Sequence, residues 1–300
     1  MNRFSTALFF LCLSIACSND VNAQIAIESG FVDVDGGKLY YESTGEGKPV
    51  VLIHGFTLDR RMWAKEFSAL SDDFRVIRYD LRGHGKSSGV EEEFTHIDDL
   101  QAILEELGGT KVQLIGLSLG GQIACDFSIA YPERVQRAVL IDPYYPLPDK
   151  SPKFPFNTRI SEHISLGRQQ GIKAGLTSWL SDPLFEPACE DGKLKEKLKN
   201  IVITGHGSHG EKSLFLSFAK KVKSEKLNNK SLTDVHCPVL FLIGEKDLPR
   251  FHAVADYFAE TVPSISVVEV PNAGHMANME NPDFVMDQIN RFLELRREVA

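Results

Sequence analysis

Short apolar runs recur along the chain, as in the strands of a buried parallel sheet. They lie at residues 50–54, 75–79, 112–115, 138–141, 239–243 and 265–270. Amphipathic patterns separate several of them, and the clearest covers residues 95–107, where Ile97, Leu100, Ile103, Leu104 and Leu107 repeat at helical spacing. This alternation predicts an α/β fold, with a mostly parallel sheet covered by helices on both faces.

Two segments depart from the alternation. Residues 31–35 and 38–43 flank Gly36 and Gly37, which predicts an antiparallel hairpin. Between Pro143 and Leu232 the patterns are helical and no clear buried strand occurs. We therefore predict one domain over residues 24–300, with a helical cap at about residues 143–232.

The first 23 residues are predicted to be an export signal. Arg3 supplies a positive charge, and residues 4–16 form an apolar run that is too short for an ordinary transmembrane helix. Small or apolar residues then precede a predicted cleavage site after Ala23. Residues 13–17 also resemble a bacterial lipobox ending at Cys17, although Ser14 replaces the usual leucine. The protein is thus expected to be exported, either free or lipid-anchored to a bacterial membrane.

Composition excludes several classes of protein. Hydrophobic residues make up 43% of the 300 and charged residues 25%, which is typical of a globular protein. The formal net charge of -8 argues against a nucleic-acid partner, because phosphate binding needs a basic surface. Five cysteines are too few for a disulfide scaffold, and only Cys125, Cys189 and Cys237 follow the predicted cleavage site.

The sequence Gly116-Leu-Ser118-Leu-Gly120 fits the nucleophile-elbow pattern G-x-S-x-G. It follows a predicted strand and precedes a helical segment, which is the context that the pattern requires. Glycines two residues on either side remove side chains that would collide in so sharp a turn. Ser118 is therefore the candidate nucleophile.

A serine needs a positioned base, and His275 is the best candidate. It follows the predicted strand that ends at Val270, so it can reach over the sheet edge toward Ser118. An acid must then orient the imidazole. Asp247 is favoured, and Asp142, at the end of another strand, is the competitor. The order Ser118, Asp247, His275 is one of the known triad orders.

The segment His54-Gly55-Phe56 follows the strand sequence VVLI at residues 50–53. Acyl transfer places negative charge on a carbonyl oxygen, so backbone N–H groups must already point at it. The amides of Phe56 and Leu119 are the expected oxyanion hole. His54 is interpreted as a structural histidine that braces this loop.

Together these residues resemble the α/β-hydrolase fold family over residues 31–295. Further family-like sequences are residues 80–87 (DLRGHGKS), 131–135 (YPERV) and 280–282 (ENP). Residues 58–63 are similar to 3-oxoadipate enol-lactonases and to the related esterases and cofactor-free haloperoxidases. Epoxide hydrolases and haloalkane dehalogenases carry aspartate where this chain has Ser118, so those two activities are not expected.

The resulting hypothesis is a serine hydrolase that cleaves an ester, or a related small carbonyl compound, through an acyl-enzyme. No metal or organic cofactor is expected. Alternatives on the same triad are an enol-lactonase, a carbon–carbon bond hydrolase or a perhydrolase, and a non-catalytic binding protein is a further alternative.

The predicted cap differs in charge from the rest of the chain. Residues 150–232 contain 15 Lys and Arg against 8 Asp and Glu, with one lysine cluster at residues 193–199 and another at residues 220–226. Solvated helix faces explain these clusters. The alternative is attraction of anionic substrates or peripheral association with a membrane.

Overall fold

A computed structural model describes residues 26–148, 156–223, 227 and 230–294. The predicted signal segment, with Cys17 and the cleavage site after Ala23, lies outside these residues. Within the described ranges, no helix combines the length and hydropathy needed to cross a membrane.

The described residues form one eight-stranded sheet. Its strands are β1 (Glu28–Val34), β2 (Gly37–Thr44), β3 (Pro49–Ile53), β4 (Arg75–Tyr79), β5 (Val112–Leu117), β6 (Val135–Ile141), β7 (Val239–Gly244) and β8 (Ile265–Val270). Their order in the sheet is β1-β2-β4-β3-β5-β6-β7-β8. Strands β1 and β2 form the predicted hairpin, β2 pairs with β4 in antiparallel fashion, and all other pairs are parallel. The predicted fold class is confirmed.

Helices follow the strands as the pattern predicted. They are α1 (Ala64–Ala69), α2 (His96–Glu106), α3 (Leu119–Ala130), α4 (Phe156–Gln170), α5 (Ile172–Trp179), α6 (Glu186–Glu190), α7 (Gly192–Gly207), α8 (Leu214–Lys221), α9 (Pro249–Thr261), α10 (Ala277–Glu280) and α11 (Pro282–Glu294). The Thr95 side chain accepts a hydrogen bond from the amide of Asp98 and so caps α2.

The central strands are buried on both faces, which explains their continuous apolar sequences. Every residue of β5 and of β7 is buried. Strand β5 is longer than the predicted residues 112–115, because Gly116 and Leu117 still pair with β6. The elbow therefore starts directly from a hydrogen-bonded strand, which fixes its position at the carboxyl edge of the sheet.

Five helices, α4–α8, lie between β6 and β7 in chain order. We call them the inserted helices. Helices α4 and α5 pack closely, since Gly175 of α5 faces the backbone of Gly167 in α4 without room for a side chain between them. The inserted helices supply one wall of the cavity described below.

Candidate active site

Ser118 occupies a strained turn between β5 and α3. Its backbone angles are φ 52° and ψ −112°, in a region that side-chain-bearing residues rarely adopt. Such a conformation costs roughly 1–3 kcal/mol, so the surrounding structure must enforce it. The Ser118 amide donates to the Ile141 carbonyl at 2.9 Å, and its carbonyl accepts from the Tyr144 amide at 3.0 Å. Both bonds join the elbow to the end of β6.

Two glycines allow this turn to form. A Cβ atom on Gly116 would overlap the backbone oxygen of Gly120, and a Cβ on Gly120 would overlap the backbone oxygen of Ile53 in β3. As predicted, both positions lack room for a side chain, because neighbouring backbone atoms occupy the space that a Cβ would need.

His275 and Asp247 form a buried hydrogen-bonded pair. The distance between Nδ1 of His275 and Oδ2 of Asp247 is 2.8 Å, and both side chains are at most 1% exposed. Nδ1 must carry a proton to donate to this carboxylate, so Nε2 is the basic nitrogen. Among the described residues Nε2 has no hydrogen-bond partner. Glu280 holds the histidine loop, because its carboxylate accepts from the amides of Gly274 and Met276.

Asp142, the competing acid, has a different partner. Its Oδ1 accepts the Gly244 amide of β7 at 2.7 Å, whereas His275 bonds to Asp247. The ligand atoms of Asp142, Asp247 and His275 nevertheless lie within 4.8 Å of one another. No other His, Cys, Asp or Glu group in the described ranges could converge on a metal ion.

The loop after β3 is held rigidly beside the elbow. The His54 ring accepts the Leu81 amide at Nε2 (2.9 Å), and its Nδ1–H therefore donates to the carbonyl of Gly55 at 2.9 Å. This is the bracing role predicted for His54. Phe56 of this loop and Leu119, the first residue of α3, both line the cavity that contains Ser118.

The cavity above the elbow holds about 250 Å³ and brings Ser118 and His275 together. The sheet side contributes Gly55, Phe56, Leu58, Leu117, Leu119, Tyr144 and Met276, and the inserted helices with their connections contribute Asn157, Ile160, Ser161, Ile164, Trp179, Leu184 and Phe185. No Lys, Arg, Asp or Glu belongs to this described lining. The described lining is therefore mostly apolar, and the hydroxyl of Ser118 and the imidazole of His275 are among its few polar groups.

One contact joins the two walls. The indole N–H of Trp179 in α5 donates to Oγ1 of Thr57 at 2.9 Å. Thr57 itself has a positive φ of 66°. The inserted helices are thus hydrogen-bonded to the same loop that carries Phe56.

This sheet order, with a serine elbow after β5 and a histidine after β8, defines the hydrolase class of α/β protein. Residues 48–282 match the model of the alpha/beta hydrolase fold family, and the chain belongs to that family. The predicted resemblance is confirmed.

Several relatives are similar over most of the chain. A thermophilic esterase structure from Thermogutta terrifontis is 30% identical, covers 89% of this chain and 98% of its own, and has a TM-score of 0.71. The enol-lactonase structure from Burkholderia xenovorans LB400 is 23% identical over 88% of this chain and 100% of its own, with a TM-score of 0.74. A putative 2-succinyl-6-hydroxy-2,4-cyclohexadiene-1-carboxylate synthase from Bacillus subtilis is 28% identical over 84% of this chain and 92% of its own.

A group of buried histidines beside the site was not predicted. The His84 ring packs against His54 and against His206 of α7, with centroid distances of 4.9 and 4.5 Å. His206 reaches Oγ of Ser213 through Nδ1 at 2.5 Å. Burial lowers the pKa of His54, lowers that of His84 well below its usual value, and lowers that of His206 to about 3. These rings join the sheet domain to the inserted helices as neutral groups.

The buried histidines predict a loss of stability in mild acid. Burial also lowers the pKa of His96 to about 3, so the folded state binds fewer protons than the unfolded state below pH about 6.5. Above that pH the histidines do not reduce the free energy of unfolding. Below it, their contribution makes the free energy of unfolding fall as the pH drops. Between pH 7 and pH 5, His96 and His206, whose pKa values are lowered to about 3, should each remove about 2 kcal/mol. Urea unfolding at the two pH values measures this drop.

A matched pair of variants tests whether buried histidines cause this drop in the free energy of unfolding. His206→Gln should reduce the difference between the two pH values, whereas His236→Gln should leave it, because His236 is exposed. A difference between the two pH values that is as large in His206→Gln as in the wild type would contradict the burial of His206 as a neutral ring.

The lysine cluster at residues 193–199 lies away from the cavity. Lys193, Lys195, Lys197 and Lys199 are all exposed on α7. None of them lines the chamber. The solvated-face interpretation accounts for this cluster.

Proposed function

We propose that the protein is a serine esterase in which Ser118, His275 and Asp247 act as a catalytic triad. The observation that carries the proposal is the buried 2.8 Å hydrogen bond between His275 and Asp247, with the imidazole on the same cavity wall as the strained Ser118. The similarity to an esterase supports the substrate class.

The chemistry follows from the positions of the groups. Oγ of Ser118 attacks the ester carbonyl while Nε2 of His275 takes its proton. The amides of Phe56 and Leu119 stabilise the oxyanion, each such donor contributing roughly 2.7–4 kcal/mol. The imidazolium then protonates the leaving alkoxide, and the acyl group stays on Ser118. A water molecule then attacks the acyl-enzyme while Nε2 of His275 takes its proton. The imidazolium returns that proton to Oγ of Ser118 as the acid product leaves.

Asp247 keeps the imidazole ready for both proton transfers. Its carboxylate holds the proton on Nδ1, so the lone pair on Nε2 faces the cavity. The same negative charge stabilises the imidazolium that forms after Ser118 loses its proton. No metal ion or organic cofactor takes part in this sequence.

A fluorophosphonate probe tests the nucleophile directly. We expect intact-mass analysis to show one added phosphonyl group, and peptide mapping to place it on Ser118. The Ser118→Ala protein should remain unmodified. Labelling of another residue, or none on folded protein, would refute the triad and favour the non-catalytic alternative.

The cavity lining further favours an uncharged ester. A carboxylate on the substrate would enter a mostly apolar chamber whose described lining offers no Lys or Arg to pair with it, which is strongly unfavourable. This argues against 3-oxoadipate enol-lactone, which retains a carboxylate. It also argues against the attraction of anionic substrates by the inserted helices.

A matched pair of substrates measures this selectivity. The dimethyl ester of a short diacid should be hydrolysed with a kcat/KM at least about 100-fold above that of its monomethyl ester, since an unpaired buried charge costs several kcal/mol. Faster turnover of the monoester, suppressed by salt, would instead support substrate attraction by the exposed lysines.

A further inference from the structure

A second buried carboxyl lies beside the proposed catalytic acid. Strands β6 and β7 are parallel neighbours with Ile141 opposite Leu242, so residues that follow them meet at the same edge of the sheet. Asp142 comes immediately after β6 and Asp247 three residues after β7. Neither carboxyl group is exposed.

Asp142 is held rigidly in this position. Its amide donates to the Leu242 carbonyl at 2.8 Å, and its Oδ1 accepts the Gly244 amide at 2.7 Å. Its φ of 42° lies in the left-handed region, which aspartate and asparagine tolerate better than most residues. The side chain therefore points along the sheet edge toward Asp247 and His275, within 4.8 Å of both.

The two carboxyl groups differ in their hydrogen bonds. Asp247 accepts from Nδ1 of His275 and from the Leu248 amide, so both of its oxygens have a donor. Oδ2 of Asp142 is buried, and no N–H or O–H group of the described residues reaches it. Asp142 also has no Lys or Arg partner within the described ranges, where Asp247, His275 and Glu280 are the titratable groups near it.

Two ionised carboxylates cannot share this site with a single imidazole. Like charges a few ångströms apart in a buried site exclude each other, and the proton goes to the group with fewer donors. Burial, and then the charge of Asp247, raise the pKa of Asp142 well above its usual value. A protonated Oδ2 must find an acceptor, and the ionised carboxylate of Asp247 is the acceptor within reach.

We propose that Asp142 is a protonated positioning residue that donates a hydrogen bond from Oδ2–H to the carboxylate of Asp247. It fixes the orientation of that carboxylate and withdraws part of its negative charge from His275. Asp142 thus acts through Asp247 and does not touch the substrate. This inference rests on the proposed triad. It gives Asp142 a role distinct from that of Asp247, the proposed catalytic acid.

Two substitutions distinguish a hydrogen-bond donor at position 142 from a negative charge at that position. Asp142→Ala removes the donor, so kcat/KM should fall roughly tenfold to a hundredfold. The acid limb of its pH profile should also move to higher pH, since Asp247 would then stabilise the imidazolium more strongly. Asp142→Asn keeps an N–H donor and an acceptor for Gly244, so it should recover most of the lost activity with the acid limb at its wild-type position.

An ionised Asp142 would give the opposite sign. Both substitutions would then remove a negative charge near His275 and move the acid limb to lower pH, by about one unit or more. That result would overturn the proposal, as would an Asn variant that behaves like the Ala variant.

Infrared spectroscopy tests whether Asp142 carries a proton, and it does not rely on activity. The wild type minus Asp142→Asn difference spectrum at neutral pH should contain the carbonyl stretch of a protonated carboxylic acid. Subtraction removes other buried carboxyls, such as Glu66, whose pKa burial raises to about 6. Absence of the band would refute the protonated Asp142 even if the Ala variant does not fold. Fluorophosphonate labelling of Ser118 in the same preparations reports separately on the triad.

Discussion

Ser118→Ala is expected to lower kcat for a neutral ester roughly 10⁴- to 10⁶-fold, because it removes the hydroxyl that forms the acyl-enzyme in the proposed mechanism. The folded structure should persist, since the hydrogen bonds that hold the elbow involve the backbone of Ser118. Alanine at a strained φ retains the strain that serine already has. Steady-state hydrolysis of a short p-nitrophenyl ester measures the loss.

A second serine in the same cavity is the matched control. Ser161 lies on α4 among the lining residues but is not on the elbow, and its Oγ donates to the Asn157 carbonyl at 2.8 Å. Ser161→Ala should therefore change kcat by less than about tenfold. Equal losses at both serines would indicate a general effect on the cavity, and wild-type turnover by Ser118→Ala would exclude Ser118 as the nucleophile.

The parts of the site that the sequence predicted are those encoded locally. The elbow combines an apolar run, two glycines and a helical segment within a few residues, and steric overlap leaves little choice at Gly116 and Gly120. Parallel sheets place strand ends at one edge, so candidates that follow a strand could be assigned to the site without coordinates. Ser118 and His275 were chosen as candidates in this way, and the structure places both in the wall of one cavity.

The sequence favoured Asp247 over Asp142, but it did not show how the two carboxyl groups are held. Asp142 and Asp247 both follow buried strands, and the pairing of β6 with β7 brings them to the same place. Only the hydrogen bonds distinguish them. The three residues after Gly244 carry Asp247 to Nδ1 of His275, whereas Asp142, directly at the strand end, bonds back to the Gly244 amide.

The cavity wall and the histidine group depend on contacts between distant segments. Trp179 meets Thr57 across 122 positions of sequence, and His206 meets His84 through the packing of α7 on the sheet domain. Periodicity predicts that a helix has a buried face, but it does not say which surface covers that face. The predicted cap therefore contained the residues of the wall without revealing which of them would face Ser118.

Under the proposed triad, Asp247→Asn is expected to lower kcat about 10⁴-fold, the loss known for the equivalent change in a Ser-His-Asp enzyme. An asparagine amide would donate to Nδ1 of His275 and force the ring proton onto Nε2, which could then no longer accept the proton of Ser118. The imidazolium would also lose its buried counter-charge.

The same measurement, with the short p-nitrophenyl ester, compares this variant with two others. Asp256→Asn on the exposed face of α9 should have no measurable effect, since it changes charge without touching the site. Asp142→Asn should cost far less than Asp247→Asn, because an amide at position 142 still has a donor for Asp247 and an acceptor for Gly244. If Asp142→Asn is the more damaging of the two, the acid that orients His275 in solution is Asp142, and the hydrogen bond between His275 and Asp247 is not the one used in catalysis.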